Sequence, residues 1–164
     1  AISWSPDGSY LAYIDTDSIS NQHVIFLYSL EDGSSRQLTK PGDNFWGDGS
    51  PEFSPDGKSL AFIRILAEGI QDMYIMDFDT EAEKVLTETN SAIYGFSWAD
   101  DENIVMSSDF GGQISLWNID IGNDKALTKL QLGRNQQNPT IRRGKLVVED
   151  SSFMVKRCTV ICRY

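Results

Sequence analysis

The tetrapeptide Ser-Pro-Asp-Gly occurs twice, at residues 5–8 and 54–57, each time with an aromatic residue before it and an apolar run after it. Trp4 and Leu11-Ala12-Tyr13-Ile14 flank the first copy; Phe53 and Leu60-Ala61-Phe62-Ile63 flank the second. A type I turn favours Ser at its first position, Pro with φ already at about −65° at its second, and Gly at its fourth, so each copy is a hairpin corner. A corner that recurs with the same flanks is a repeat unit, and the fold question becomes one of period.

Aligning on the residue before each corner gives Trp4, Phe53, Trp98 and Ile141, at separations of 49, 45 and 43. The third corner, Trp98-Ala99-Asp100-Asp101-Glu102-Asn103-Ile104, is one residue shorter and has lost Pro and Gly, which leaves Asn103 to take the left-handed conformation. The fourth, Ile141-Arg142-Arg143-Gly144-Lys145-Leu146, is two shorter and keeps a Gly. Aromatic-rich apolar segments follow the first three corners at residues 24–30, 73–78 and 114–119. After each comes a shorter piece ending Leu-Thr (Leu38-Thr39, Leu86-Thr87, Leu127-Thr128), and the step to that Thr from Tyr28, Met76 and Trp117 is eleven residues each time.

Each unit thus holds four short strands, and the second is apolar on both faces, which calls for cover on both sides. Four-stranded antiparallel sheets of about 40 to 50 residues, each sandwiched between neighbours, are the blades of a β-propeller. A β-sandwich with similar hairpins has no reason to repeat the Leu-Thr spacing. The expected fold is all-β, a β-propeller of four-stranded antiparallel blades with about four blades present, at residues 1–44, 45–90, 91–134 and 135–164, the last incomplete. Beyond Val148 the pattern degrades: Phe153-Met154-Val155 is a candidate third strand and residues 157–164 match no repeat. Such a partial ring is expected to be a fragment of a longer parent, or to pair with a second copy through open blade faces. Trp4, Phe53 and Trp98 are expected in equivalent buried positions.

A content of 40% hydrophobic and 11% aromatic residues suits a globular core, and no stretch reaches the about eighteen uninterrupted apolar residues of a membrane span. Residues 1–100 hold 5 Lys/Arg against 17 Asp/Glu, while residues 101–164 hold 9 against 7. An acidic surface repels phosphate, so direct nucleic-acid contact is disfavoured, and Arg142, Arg143 and Lys145 read as a solvated hairpin end. Cys158 and Cys162, four apart on a strand, share a face about 13 Å apart, too far for a bridge. On a helix they approach each other, but a zinc site would need carboxylates beside the lone His23.

Nucleophilic catalysis of the Ser-His-Asp type needs a histidine base, and His23 sits beside a strand with no Gly-x-Ser-x-Gly elbow in the chain. We read it as a surface or strand-edge residue. Asp7, Asp56 and Asp101 lie in corners, and Asp77, Asp79 and Asp120 where third strands end, positions suited to bonding the local backbone. Asp15-Thr16-Asp17 and residues 120–124 offer oxygen ligands but lack the pattern of a calcium loop, and no phosphate loop is present. No catalytic residue, metal or cofactor is assigned, and the chain reads as a non-enzyme. Loops leading into the innermost strands rim a propeller's channel and are where a rigid scaffold carries function. They point to Trp46, Asp48 and Glu52 before the second blade and Tyr94 before the third. Trp46, in a Gly-rich loop, is either a contact residue or a plug over the blade junction, and the plug is the expectation.

The corners Trp4-Ser5-Pro6-Asp7-Gly8 and Phe53-Ser54-Pro55-Asp56-Gly57, the strand at residues 73–77 and the Leu-Thr pieces resemble the TolB-type (WD40-like) propeller repeat over about residues 1–150. Such propellers usually have six or more blades. A narrower likeness, in Trp46-Gly47-Asp48-Gly49-Ser50-Pro51 and in residues 107–117, is to the extracytoplasmic propeller of CadC-type winged-helix transcriptional regulators. It implies a sensing or binding role in a membrane-anchored parent, periplasmic, with a protein partner or small-molecule signal. A TolB-like periplasmic protein-interaction module is the alternative, as is the gating propeller of a prolyl-oligopeptidase-type peptidase, whose catalysis lies in a separate domain.

Overall fold

Both Ser-Pro-Asp-Gly corners close through one and the same set of bonds. The Gly N–H donates to the Ser carbonyl (2.9 Å from Gly8 to Ser5, 3.0 Å from Gly57 to Ser54), and each Gly is left-handed, at φ 74° and 75°. The Ser hydroxyl donates to the Asp two residues on (2.6 Å to Asp7, 2.8 Å to Asp56) and accepts the backbone N–H of Tyr10 or Ser59. These carboxylates also accept the N–H two residues on, from Ser9 and Lys58, so the Ser, Asp and Gly of each corner all take part in closing it.

The computed structural model describes residues 1–123, 125–132 and 135–149 in full, and 150 and 157–163 by their backbone. Every element among them is a strand or a turn. The chain divides into two units, Ala1–Glu88 and Thr89–Tyr164. In the first, β1 (Ile2–Trp4), β2 (Tyr10–Thr16), β3 (His23–Ser29) and β4 (Ser35–Gln37) form one antiparallel sheet. A second is formed by β5 (Gly47–Phe53), β6 (Ser59–Ala67), β7 (Ile70–Asp77) and β8 (Glu83–Val85). One parallel bridge, His23 to Gly47, joins them. Gly47 has φ 143°, and a Cβ there would stand 2.5 Å from the His23 carbonyl oxygen, so only glycine permits this approach.

The second unit repeats the plan with β9 (Ile93–Trp98), β10 (Asn103–Ser108), β11 (Ser115–Asp120) and β12 (Ala126–Lys129) in one sheet. β13 (Gln136–Arg142), β14 (Lys145–Asp150) and β15 (Arg157–Arg163) form the next. Registers Trp4↔Leu11, Phe53↔Leu60, Trp98↔Ile104 and Ile141↔Leu146 bear out the alignment of the four corners. In both units the packing is the same. Ala12, Ile25, Leu27 and Leu38 of the first sheet meet Phe53, Leu60, Phe62 and Met76 of the second; Val105 and Leu116 meet Leu146 and Val148. Burying a side chain such as Phe62 contributes about 2 to 3 kcal/mol. A hydroxyl ties the innermost strands together in each unit: Ser3 Oγ accepts from Phe53 N–H at 3.0 Å, and Ser97 Oγ from Ile141 N–H at 3.3 Å.

Four expectations need correction. Trp4 is 55% exposed while Phe53 and Trp98 are 6% and 4%, because Phe53 stands against Tyr10 and Phe78 in the core between two sheets, whereas Trp4 lies on the uncovered face of the first. That face carries two cross-strand rows, Ile2-Tyr13-Phe26 and Trp4-Leu11-Tyr28, so β2 is not covered on both sides as β6 is. Second, Leu127-Thr128 is not equivalent to Leu38-Thr39 and Leu86-Thr87. Leu38 and Leu86 donate to Ile25 and Met73, positions matched by Leu116, which instead receives Leu130 N–H. The β11–β12 hairpin is one residue longer, and Ile119, opposite Ile104, corresponds to Tyr28 and Met76.

Third, Asn103 is not left-handed; its amide donates to the Asp100 carboxylate at 3.0 Å and closes the corner through side chains. Fourth, the third strand of the last sheet is β15, in the stretch that matched no repeat. Phe153-Met154-Val155 and Asp124 lie outside the described residues, as do the side chains of Cys158 and Cys162.

Candidate functional site

Antiparallel order brings the β2–β3, β4–β5 and β6–β7 connections to one end of the first unit. The β2–β3 loop is held by Asp17, whose carboxylate accepts the Ser20 N–H and hydroxyl at 2.9 and 2.6 Å, and Asn21 turns it at φ 58°. From this loop Gln22 donates its amide to the Gly42 and Phe45 carbonyls at 3.2 and 2.5 Å, fixing the incoming β4–β5 loop. Trp46 N–H then donates to the Ile65 carbonyl at 2.8 Å. Its indole is left 59% exposed, so the plug reading of Trp46 does not hold. Beside it, Ser20, Gln22, Asp43, Phe45 and Trp46 line an open depression of about 530 Å³.

Asp48, expected on the rim, is instead fully buried in β5. It takes a two-pronged pair from Arg64 of β6, Nε to Oδ1 at 2.7 Å and Nη2 to Oδ2 at 2.9 Å, and Arg64 Nη1 also reaches Glu83 at 2.8 Å. The guanidinium lies over Tyr74 at 4.4 Å and over Phe45 and Phe62 at 5.4 Å each. Burial pulls its pKa down, but the hydrogen bonds to Asp48 and Glu83 outweigh that and hold it above its ordinary value. A strand apolar on both faces leaves a charge in its middle no water to face, so Asp48 is its necessary partner. Through Phe45, the same cluster props the loop that ends at Trp46.

Glu52 is half-buried on β5, opposite Ala61, one residue beyond a bulge at Ser50-Pro51. Tyr94 is in the second unit, half-buried on β9; its hydroxyl points to Asp109 Oδ2 at 3.4 Å, and Asp109 also accepts Ala92 N–H. Burial, then the Asp109 charge, raises the phenol pKa. The structure therefore brings Trp46 and Asp48 to one end of the first unit, exposed and buried respectively, and places Tyr94 in another unit.

A second hollow of about 550 Å³ lies between the two Ser-Pro-Asp-Gly corners, lined in part by Asp7, Asp56, Tyr10 and Phe78. Its corner carboxylates are taken up by their own turns. Hydrogen bonds from Ser5 first, and from Lys58 N–H first, hold Asp7 and Asp56 below the usual carboxylate range. Among the described residues no three His, Cys, Asp or Glu side chains are grouped to hold a metal. His23 is exposed at the start of β3.

Sequence reasoning missed Arg64, Phe45, Gln22 and Asp43. A lone cation inside Leu60-Ala61-Phe62-Ile63-Arg64-Ile65 was the available signal, since such a charge must find an acid elsewhere.

The family model described as the TolB beta propeller domain matches residues 1–157. Dipeptidyl-peptidase 5 of Porphyromonas gingivalis is 25% identical over 163 residues, covering 92% of this chain and 24% of its own length. The Tol-Pal system protein TolB of Francisella tularensis subsp. mediasiatica is 33% identical over 120 residues, 70% of this chain and 26% of its own. The crystal structure of TolB from Acinetobacter baumannii superposes with a TM-score of 0.69 at 23% identity, covering 98% of this chain and 43% of that one. The chain spans about a quarter of the length of these two curated relatives.

Proposed function

The chain belongs to the TolB β-propeller domain family, and from that premise we propose that it is a non-catalytic binding segment that takes a protein partner at the Trp46 end of its first unit. The observation that carries this reading is an exposed indole on a loop fixed by Gln22, Ile65 and the Arg64 cluster. A large apolar ring left in water on a rigid backbone costs free energy that contact with a partner recovers. The parent is extracytoplasmic in this reading, on the resemblance to TolB. Its narrower form, a CadC-type membrane-anchored regulator, rests on the likeness of residues 46–51 and 107–117 alone.

A second reading, the propeller of a peptidase, is favoured by the match to dipeptidyl-peptidase 5 along nearly the whole chain. It predicts a hydrolase domain in the parent and still no turnover by these residues. A photo-crosslinking amino acid at position 46 of the parent, expressed in its own cells, is expected to give a discrete protein adduct. The same residue at position 58, exposed at the opposite end, should give none. No adduct at 46, or equal adducts at both, rejects the binding role.

A further inference from the structure

The Trp46 end carries a specific charge environment. Asp15, Asp17, Asp43 and Glu68 stand on or beside the three connections there, against Lys40 alone. Over residues 1–88 there are 16 Asp/Glu and 5 Lys/Arg. Of those cations Arg64 is buried against Asp48 and Glu83, Arg36 pairs with Glu81, and Lys58 lies near Asp56. The field at this end is therefore negative and draws in positive charge.

Asp43 differs from the aspartates that shape the turns. Asp7, Asp17, Asp56, Asp77 and Asp100 each accept hydrogen bonds that shape a turn. Asp43 is exposed, lines the depression beside Trp46, and has no hydrogen-bond or ion-pair partner among the described residues. An unused carboxylate next to an exposed indole is a combination that recognises a cation: the ring face attracts the charge, and the acid fixes the head group. The chain uses that chemistry internally, with Arg64 over Tyr74 at 4.4 Å and held by Asp48. It also sets Lys129 over Trp117 at 5.6 Å.

We propose that the Trp46 end receives a basic segment of a protein partner, with a Lys or Arg side chain lying across the indole and its head group at the Asp43 carboxylate. This deepens the binding role proposed above and rests on it. Gln22, which also lines the depression, has both amide N–H groups committed to the Gly42 and Phe45 carbonyls and offers its amide oxygen to an N–H of such a segment.

The test is an NMR titration of the ¹⁵N-labelled chain at low ionic strength with a nona-arginine peptide and, in parallel, with nona-glutamate. The Trp46 indole N–H, identified by its loss in Trp46→Phe, and the backbone signals of residues 20, 22, 43 and 45 are expected to move with nona-arginine only. Affinity should fall about three- to tenfold in Trp46→Ala. It should fall about threefold in Asp43→Asn and be unchanged in Asp56→Asn at the opposite end. Shifts spread over the acidic surface and surviving Trp46→Ala would overturn the proposal, as would binding of nona-glutamate at this end. An adduct at position 46 with no response of Trp46 to nona-arginine would reject the basic partner and leave the binding role standing. Absence of any adduct there removes both.

Discussion

At the scale of single residues, the corners show how little sequence is needed to fix a hairpin when each side chain has a bond to make. Asp7 and Asp56 lie below the usual carboxylate range because the folded turn donates to them, as it does to Asp17, through Ser20, and to Asp77, through Thr80. A carboxylate depressed in the folded state contributes stability that is in place above about pH 4 and is lost as pH falls through the folded value. Urea midpoints should therefore drop below about pH 4. Ser54→Ala should raise the Asp56 pKa part of the way to normal, as read by carboxyl ¹³C titration, since Lys58 N–H still donates. Gly47→Ala should cost more than Gly8→Ala. The first sets a methyl against His23 backbone, while the second meets nothing within 4 Å and bears only left-handed strain of about 1 to 2 kcal/mol. Equal losses in urea unfolding would contradict the close approach of β3 and β5.

Among the elements, the corner-defined pairs β1–β2, β5–β6, β9–β10 and β13–β14 were legible because turn chemistry is local. The outer hairpins were less so. The eleven-residue step to Leu-Thr reports a buried Thr in two sheets, where Thr39 and Thr87 hydroxyls accept Ile25 and Met73 N–H at 3.0 and 2.9 Å. In the third sheet the same spacing falls on an exposed Thr128 within β12, because one added hairpin residue moves the register. Thr87→Val should accordingly cost about 1 to 3 kcal/mol and Thr128→Val almost nothing, measured by chemical unfolding. A repeated device escaped notice: Ser50-Pro51, Tyr94-Gly95 and Asn138-Pro139 each put a left-handed residue three before the aligned corner position and bulge the innermost strand. The Arg64–Asp48 pair was illegible for another reason. Its partners are sixteen residues apart on neighbouring strands, and only the register brings them face to face. Asp48→Ala should cost about 3 to 5 kcal/mol by stranding the guanidinium.

For the molecule as a whole, the account depends on one packing relation used in each unit: the face of one sheet that bears Ala12 or Val105 covers the face of the next that bears Leu60 and Phe62 or Leu146 and Val148. Repetition of that relation makes the chain a propeller segment, and it leaves the loops at the sheet ends, Trp46 among them, outside the packed faces. The net charge of −10 favours the cationic partner proposed for the Trp46 end. The most direct test compares the unfolding free energies of Phe53→Ala and Trp4→Ala, the same repeat position with and without a covering sheet. Phe53→Ala should lose about 3 to 5 kcal/mol and Trp4→Ala less than about 1 kcal/mol. Equal losses, or a larger one for Trp4, would contradict it.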